Sequence, residues 1–110
     1  VDAVAEAALA TGMTPDEVWC AAGSGTLARG LAKAWPWAVR NVVEVGRELS
    51  YRDVDSATIH KQALPFGRPH PQQPPFPSDP HYDAKAWAEC KARRGSGLVL
   101  FWNVTAPASA

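Results

Sequence analysis

The chain has 110 residues, which is enough for a single domain with one modest hydrophobic core. Its 11 basic and 11 acidic residues give a net charge of zero, so the composition excludes the strong positive charge of nucleic-acid-binding and membrane-surface proteins. No apolar run approaches the ~20 residues of a membrane span and the amino terminus lacks a signal peptide, so we expect a soluble, cytoplasmic protein.

The first two predicted elements are a helix and a strand. Residues 1–11 are rich in alanine and contain no helix breaker, which predicts a helix that ends at Gly12. A turn over residues 14–16 follows. The β-prone residues Val18 and Trp19 then predict a strand from Glu17 to Ala22.

A glycine-rich turn after this strand predicts an anion-binding site. Beyond the turn, apolar residues resume at helical spacing, and a helix start offers backbone N–H groups and partial positive charge to an anion. Glycine lets the backbone approach a ligand closely, and the hydroxyl groups can cap the helix or donate to phosphate oxygens. An ordinary strand-to-helix turn stays the alternative. The predicted ligand-binding residues here are Gly23, Ser24, Gly25 and Thr26.

The next segment completes a βαβ unit. The second helix runs from Thr26 to about Trp35, where Pro36 stops it. The β-branched run over residues 39–45 predicts a buried strand parallel to the first. Its exit at Gly46 and Arg47 lies on the predicted ligand edge of the sheet. Residues 57–63 predict a shorter third strand.

Residues 64–80 contain seven prolines and cannot form a helix or a central strand. Two interpretations stay open: a polyproline-like linker, or an ordered loop that wraps the ligand edge. Phe66 and Phe76 favour the ordered loop, because a pure spacer gains nothing from exposed aromatic side chains.

The last two predicted elements are again a helix and a strand. Ser78 and Pro80 have the residue types of an N-cap and a first helical position, and the helix would continue to Arg93. Residues 98–102 form the most hydrophobic run of the chain and predict a central buried strand. We therefore predict one α/β domain over residues 1–110, with three layers, about four mostly parallel strands, helices on both faces and a Rossmann-like arrangement.

The cysteines and histidines do not predict a metal site. Cys20 and Cys90 have neither the density nor the spacing of a disulfide framework or a zinc site, so we expect buried free thiols. His60 and His70 are too loosely spaced with the neighbouring aspartates to form a metal centre. The five tryptophans are expected in the core or in interfaces.

Three separated segments resemble one enzyme family. Residues 22–31 read Ala-Gly-Ser-Gly-Thr-Leu-Ala-Arg-Gly-Leu, residues 79–86 read Asp-Pro-His-Tyr-Asp-Ala-Lys-Ala, and residues 97–103 read Gly-Leu-Val-Leu-Phe-Trp-Asn. In this order they resemble the phosphate turn, the tyrosine segment and the closing strand of the fold-type II pyridoxal-phosphate enzymes. That group contains tryptophan synthase β, D-cysteine desulfhydrase and aminocyclopropane-carboxylate deaminase.

The resemblance implies pyridoxal phosphate as cofactor and lyase, deaminase or transferase chemistry on a small amino acid. It implies that Tyr82 faces the reaction, and that Asn103 and Thr105 join the glycine-rich turn in holding the cofactor. The Schiff-base lysine of the family precedes the phosphate turn, and residues 1–15 contain no lysine. The closing Gly-Gly of the family is replaced by Val-Thr-Ala at residues 104–106. We therefore expect the carboxy-terminal half of such an enzyme, inactive or nearly so by itself.

Two alternatives stay open beside this hypothesis. The first is a non-catalytic α/β domain that binds a nucleotide, a phosphometabolite or a protein partner. In the second, a further copy of the chain or a complementary half of the enzyme covers the surface that the absent half leaves bare.

Overall fold

The structure is a computed structural model, and it describes residues 2–22, 25–45, 49–50, 52, 54, 57–62, 64, 67–81 and 83–103. The described chain contains three helices and four strands. They are α1 (Asp2–Ala10), β1 (Glu17–Ala22), α2 (Thr26–Ala34), β2 (Val39–Glu44), β3 (Thr58–Lys61), α3 (Asp83–Arg93) and β4 (Val99–Trp102). The strands β2 and β3 follow each other without a described helix between them.

The four strands form one parallel sheet in the order β3-β2-β1-β4. Glu17 at the start of β1 lies opposite Val39 of β2 on one side and Val99 of β4 on the other. The chain proceeds outward from β1 through β2 to β3, and then crosses back to place β4 on the other side of β1. This order is that of the first four strands of a doubly wound sheet, with its switch point between β1 and β4. The predicted α/β class is confirmed, and the observed sheet is entirely parallel.

The two faces of the sheet bury two hydrophobic clusters. Alternate residues of β1, Val18, Cys20 and Ala22, pack with α1 and α2 on the first face. The intervening residues Trp19 and Ala21 pack with α3 on the second face. Helices therefore cover both faces, as predicted, and the three layers are α1 with α2, the sheet, and α3.

Two predicted elements differ from the observed ones. The prediction that residues 98–102 form a central strand is wrong, because β4 lies at the end of the strand order and each of its residues is only half-buried. The prediction that the last helix begins at Ser78 and Pro80 is also wrong, because α3 begins at Asp83. The Asp79 carboxylate accepts the His81 N–H at 2.8 Å, and the Asp79 carbonyl accepts the Ala84 N–H at 3.1 Å. These bonds close a turn ahead of the helix.

Residues 67–80 of the proline-rich segment are described without a gap, and this part packs against the second face through Phe76. The Phe76 ring lies 5.2 Å from the Trp87 ring and 5.7 Å from the Phe101 ring. Within the segment the His70 N–H donates to the Pro80 carbonyl at 2.7 Å. These contacts favour the ordered loop over the linker. Phe66 lies outside the described residues.

Candidate anion-binding site

The candidate site lies at the carboxyl edge of the sheet, between the ends of β1 and β4. The glycine-rich turn follows β1, and Asn103 follows β4, its neighbour in the sheet. The switch point of the strand order lies between these two strands, and ligands of open α/β sheets commonly bind outside the carboxyl ends of the strands at such a point.

Gly25 is the residue whose backbone makes this turn possible. It is the N-cap of α2, is buried, and has φ of 91° and ψ of −5°. An L side chain at this left-handed conformation costs about 1–2 kcal/mol, which explains a glycine here. The Gly25 carbonyl accepts the Arg29 N–H at 3.0 Å, so the helix begins directly after the left-handed residue.

The start of α2 has a positive electrostatic character. None of the residues in its first turn, all of them described, is acidic, and its N-cap residue Gly25 makes no side-chain capping hydrogen bond. The Arg29 guanidinium donates to Thr26 Oγ1 at 3.4 Å, which brings its charge back to the same helix end. This cation adds to the partial positive charge of the helix dipole, and both attract an anion.

Asn103 connects the end of β4 to the proline-rich segment. Its Nδ2 donates to the Pro77 carbonyl at 2.9 Å, and its side chain is exposed. In the structure the Asn103 amide holds the loop at the carboxyl edge, and its ligand role stays a prediction.

Two ionisable side chains at the start of α3 are almost completely buried. Asp83 is 0% exposed and Lys85 is 1% exposed. Burial, reinforced by the Asp83 carboxylate, raises the pKa of the Cys20 thiol to about 12, so the start of α3 acts electrostatically on β1. Burial lowers the pKa of Lys85, and the Asp79 carboxylate acts in the opposite direction. The burial of these two residues was not predicted, because a charged residue among alanines gives no signal of burial.

Four of the seven predicted site residues lie outside the described residues. The structure places Gly25 and Thr26 at the start of α2 and Asn103 on the neighbouring strand end, all at one edge of the sheet. Arg47, predicted on the same edge, is likewise not described. The four predicted site residues outside the description are Gly23, Ser24, Tyr82 and Thr105.

The other candidate features of the described chain have structural roles. The crevice under α2, bordered by Cys20, Leu31 and Arg40, is too narrow to admit a water-sized sphere. His60 stacks on Trp19 at 4.5 Å and its Nε2 lies 2.9 Å from Asn41 Oδ1. Both cysteines are buried free thiols, as predicted.

Two further observations concern metals and membranes. Within the described ranges, no three His, Cys, Asp or Glu side chains gather closely enough to hold a metal ion. None of the helices in the same ranges combines the length and apolar character needed to cross a membrane.

Comparisons with protein-family models, with curated proteins and with solved structures found no significant match to this chain. The candidate site therefore depends on its own geometry and chemistry.

Proposed function

We propose that the chain binds the phosphate group of a small molecule at the start of α2, in the crevice between β1 and β4. The observation that carries this proposal is the left-handed, buried Gly25 at the N-cap of a helix that follows a parallel strand. This conformation lets a ligand approach the backbone without meeting a Cβ atom. The switch point of the strand order lies at the same place.

The proposed binding chemistry uses backbone and side-chain donors together. The first N–H groups of a helix have no partner within the helix and point toward a ligand at its N-terminus. The Arg29 guanidinium adds a full positive charge about one turn into α2, where it can reach a phosphate oxygen. A neutral ligand gains from none of this charge, so we expect selectivity for anions.

The ligand proposed first is pyridoxal phosphate. The three segments that resemble the fold-type II enzymes support it, and the phosphate end of that cofactor suits the start of α2. When bound, its pyridine ring supplies an electron sink for amino-acid chemistry. This chain would bind and orient the phosphate, and a complementary half of the enzyme would supply the reactive lysine. A cytoplasmic setting and a role without nucleic acid are part of the same proposal.

A nucleotide is the second candidate ligand, and a specific arrangement favours it. The order β3-β2-β1-β4 is that of dinucleotide-binding sheets. Gly23, Gly25 and Ala28 have the spacing of the glycine fingerprint of those sheets, and Ala28 is buried in the cluster that α2 forms with the sheet. Glu44 ends β2 directly beside Ala22 of β1, where such proteins place the acidic residue that binds a ribose hydroxyl.

Equilibrium dialysis with matched ligand pairs tests the phosphate site. Pyridoxal phosphate is compared with pyridoxal, and ADP with adenosine, each with inorganic phosphate as competitor. We expect the phosphorylated member of one pair to bind at least tenfold more tightly and to be displaced by phosphate. Equal binding within both pairs would overturn the proposal.

Two variants locate the site and distinguish the ligands. Gly25→Asp places a carboxylate in the turn and should weaken binding at least tenfold. Gly67→Asp is the matched control, since Gly67 is exposed with nothing within 4 Å of its Cβ position. Glu44→Gln retains an acceptor for the Leu49 N–H, which Glu44 Oε2 accepts at 2.9 Å. This variant should weaken ADP binding and leave pyridoxal phosphate binding unchanged.

A further inference from the structure

The large exposed hydrophobic side chains lie at one edge of the sheet. Among the described residues there are five, exposed by 39% to 60%, and all are placed where helices end and strands begin. This amino-edge patch consists of Leu9 in the last turn of α1, Met13 before β1, Trp37 and Val39 at the entry to β2, and Leu98 before β4. Scattered exposed hydrophobics need no explanation, whereas a group at one edge marks an interaction surface.

Backbone hydrogen bonds place three strand entries side by side in this patch. The Asp16 N–H donates to the Leu98 carbonyl at 2.9 Å, and the Val39 N–H donates to the Asp16 carbonyl at 2.9 Å. Leu98 therefore lies beside Asp16, whereas Val39 lies opposite the next residue of β1, Glu17. The Asp16 carboxylate also accepts the Leu98 N–H at 2.8 Å. Hydrogen bonds at the strand ends thus fix the backbone positions of Leu98 and Val39.

Trp37 is a preorganised aromatic anchor. Its ring is 58% exposed, yet its indole Nε1–H donates to the Pro15 carbonyl at 3.1 Å. A tryptophan held by such a bond loses little conformational freedom when a partner covers it, and tryptophan is enriched among residues that dominate binding energy.

We propose that a second copy of this chain covers the amino-edge patch in a two-fold symmetric dimer. The charges at the patch are self-complementary, since Asp16 and Arg94 are both exposed and flank the loop that leads to Leu98. In a two-fold contact each copy offers both signs to the other. The net charge of zero also removes long-range repulsion between copies, and it disfavours an anionic lipid surface as occupant.

Sedimentation velocity of the full chain tests the dimer from about 1 μM to about 1 mM, the range in which weak complexes dissociate. We expect a monomer–dimer equilibrium that Val39→Lys shifts at least tenfold toward the monomer, because two buried lysines would meet or lose solvation. Gln72→Lys adds the same charge at an exposed position of the proline-rich segment and should leave the equilibrium unchanged.

A second variant keeps the test valid if Val39→Lys fails to fold. Arg94→Glu changes an exposed residue after α3 and places like charges against Asp16 of the other copy, so it should weaken the dimer. It should also reverse the salt dependence, because added salt weakens the wild-type attraction and screens the repulsion in the variant. Far-ultraviolet circular dichroism verifies that each variant is folded. A wild-type chain that stays monomeric throughout, or folded Val39→Lys and Arg94→Glu variants that dimerise like the wild type, would overturn the proposal.

Discussion

The two edges of the sheet differ in how acidic side chains meet backbone N–H groups. At the amino edge, two carboxylates fix a loop: Asp16 accepts the Leu98 N–H at 2.8 Å, and Glu17 accepts the Gly95 N–H at 2.9 Å. At the carboxyl edge, the left-handed Gly25 begins a helix that has no acidic residue in its first turn. At the amino edge carboxylates thus pair with the backbone N–H groups of a loop, whereas at the carboxyl edge the first turn of α2 is free of acidic residues.

The largest predicted effect is a fall in the free energy of unfolding as pH rises, caused by one buried thiol near each edge of the sheet. Burial, with the Asp83 carboxylate, raises the pKa of Cys20 to about 12. Burial, with the Glu17 carboxylate opposed by Arg94, raises the pKa of Cys90 to about 11. Above pH 9 the unfolded chain releases both thiol protons, whereas the folded chain still holds them. The contribution of the thiols to the free energy of unfolding is therefore fully present below pH 9 and is lost as pH rises toward the folded pKa values. We expect a loss of about 5 kcal/mol between pH 9 and about pH 11.

Urea denaturation at several pH values measures this loss. Cys20→Ala and Cys90→Ala should each remove about half of the thiol contribution to the slope of the unfolding free energy against pH, and the double variant should remove nearly all of it. Equal slopes in the double variant and the wild type would show that neither thiol resists ionisation.

The next effect concerns the carboxylates of the amino edge. A Cβ atom on Gly97 would lie 2.6 Å from Asp16 Oδ2 and 3.1 Å from Asp16 Cβ, so rotation of the carboxylate alone cannot relieve the clash. Gly97→Ala should therefore lower the free energy of unfolding by about 2 kcal/mol. At Gly95 the close atom is Glu17 Oε1 at 2.7 Å, the movable end of a longer side chain, so Gly95→Ala should cost less.

Thermal and urea denaturation measure these differences. Gly67→Ala is the control, because its added Cβ meets nothing within 4 Å, and it should change stability by less than about 0.5 kcal/mol. If Gly97→Ala proved as stable as Gly67→Ala, the amino edge would be less rigid than its hydrogen bonds indicate.

The smallest stability effect compares two left-handed glycines, one at each edge. Gly12, with φ of 70°, ends α1 near the amino edge, and Gly25, with φ of 91°, begins α2 at the carboxyl edge. Alanine at either position should cost about 1–2 kcal/mol. Equilibrium dialysis should then separate them, because only Gly25→Ala should weaken phosphate-dependent binding. Equal loss of binding in both variants would trace the effect to stability and remove Gly25 from the site.

Much of the element order could be predicted because its signals are local. The apolar run of β1 has the predicted bounds Glu17–Ala22, and α1 ends at Ala10, shortly before the predicted stop at Gly12. The predicted central position of β4 in the sheet is wrong. Its hydrophobic side chains are covered by aromatic rings on the two faces of the sheet, so their apolar character did not require a described strand on each side. The Trp102 ring packs 6.1 Å from Trp35 on one face, and Phe101 packs 5.3 Å from Trp87 on the other.

The candidate site was predictable only in part. Gly25 could be predicted from the sequence, because a turn between a strand and a helix favours a residue that tolerates positive φ. Asp83 and Lys85 give no such signal, since their burial follows from how α3 packs against the sheet. The turn at Asp79, which delays α3 to Asp83, likewise competes with a helix start that the same residues could have made.

The sequence by itself determined most of the order of helices and strands and the position of the turn before α2, since periodicity and backbone sterics act between near neighbours. Only the tertiary structure decided that β4 lies beside β1, that two charged side chains are buried, and that five exposed hydrophobics share one edge. Those outcomes arise from contacts between residues far apart in the chain, where the free energy of packing outweighs local preference.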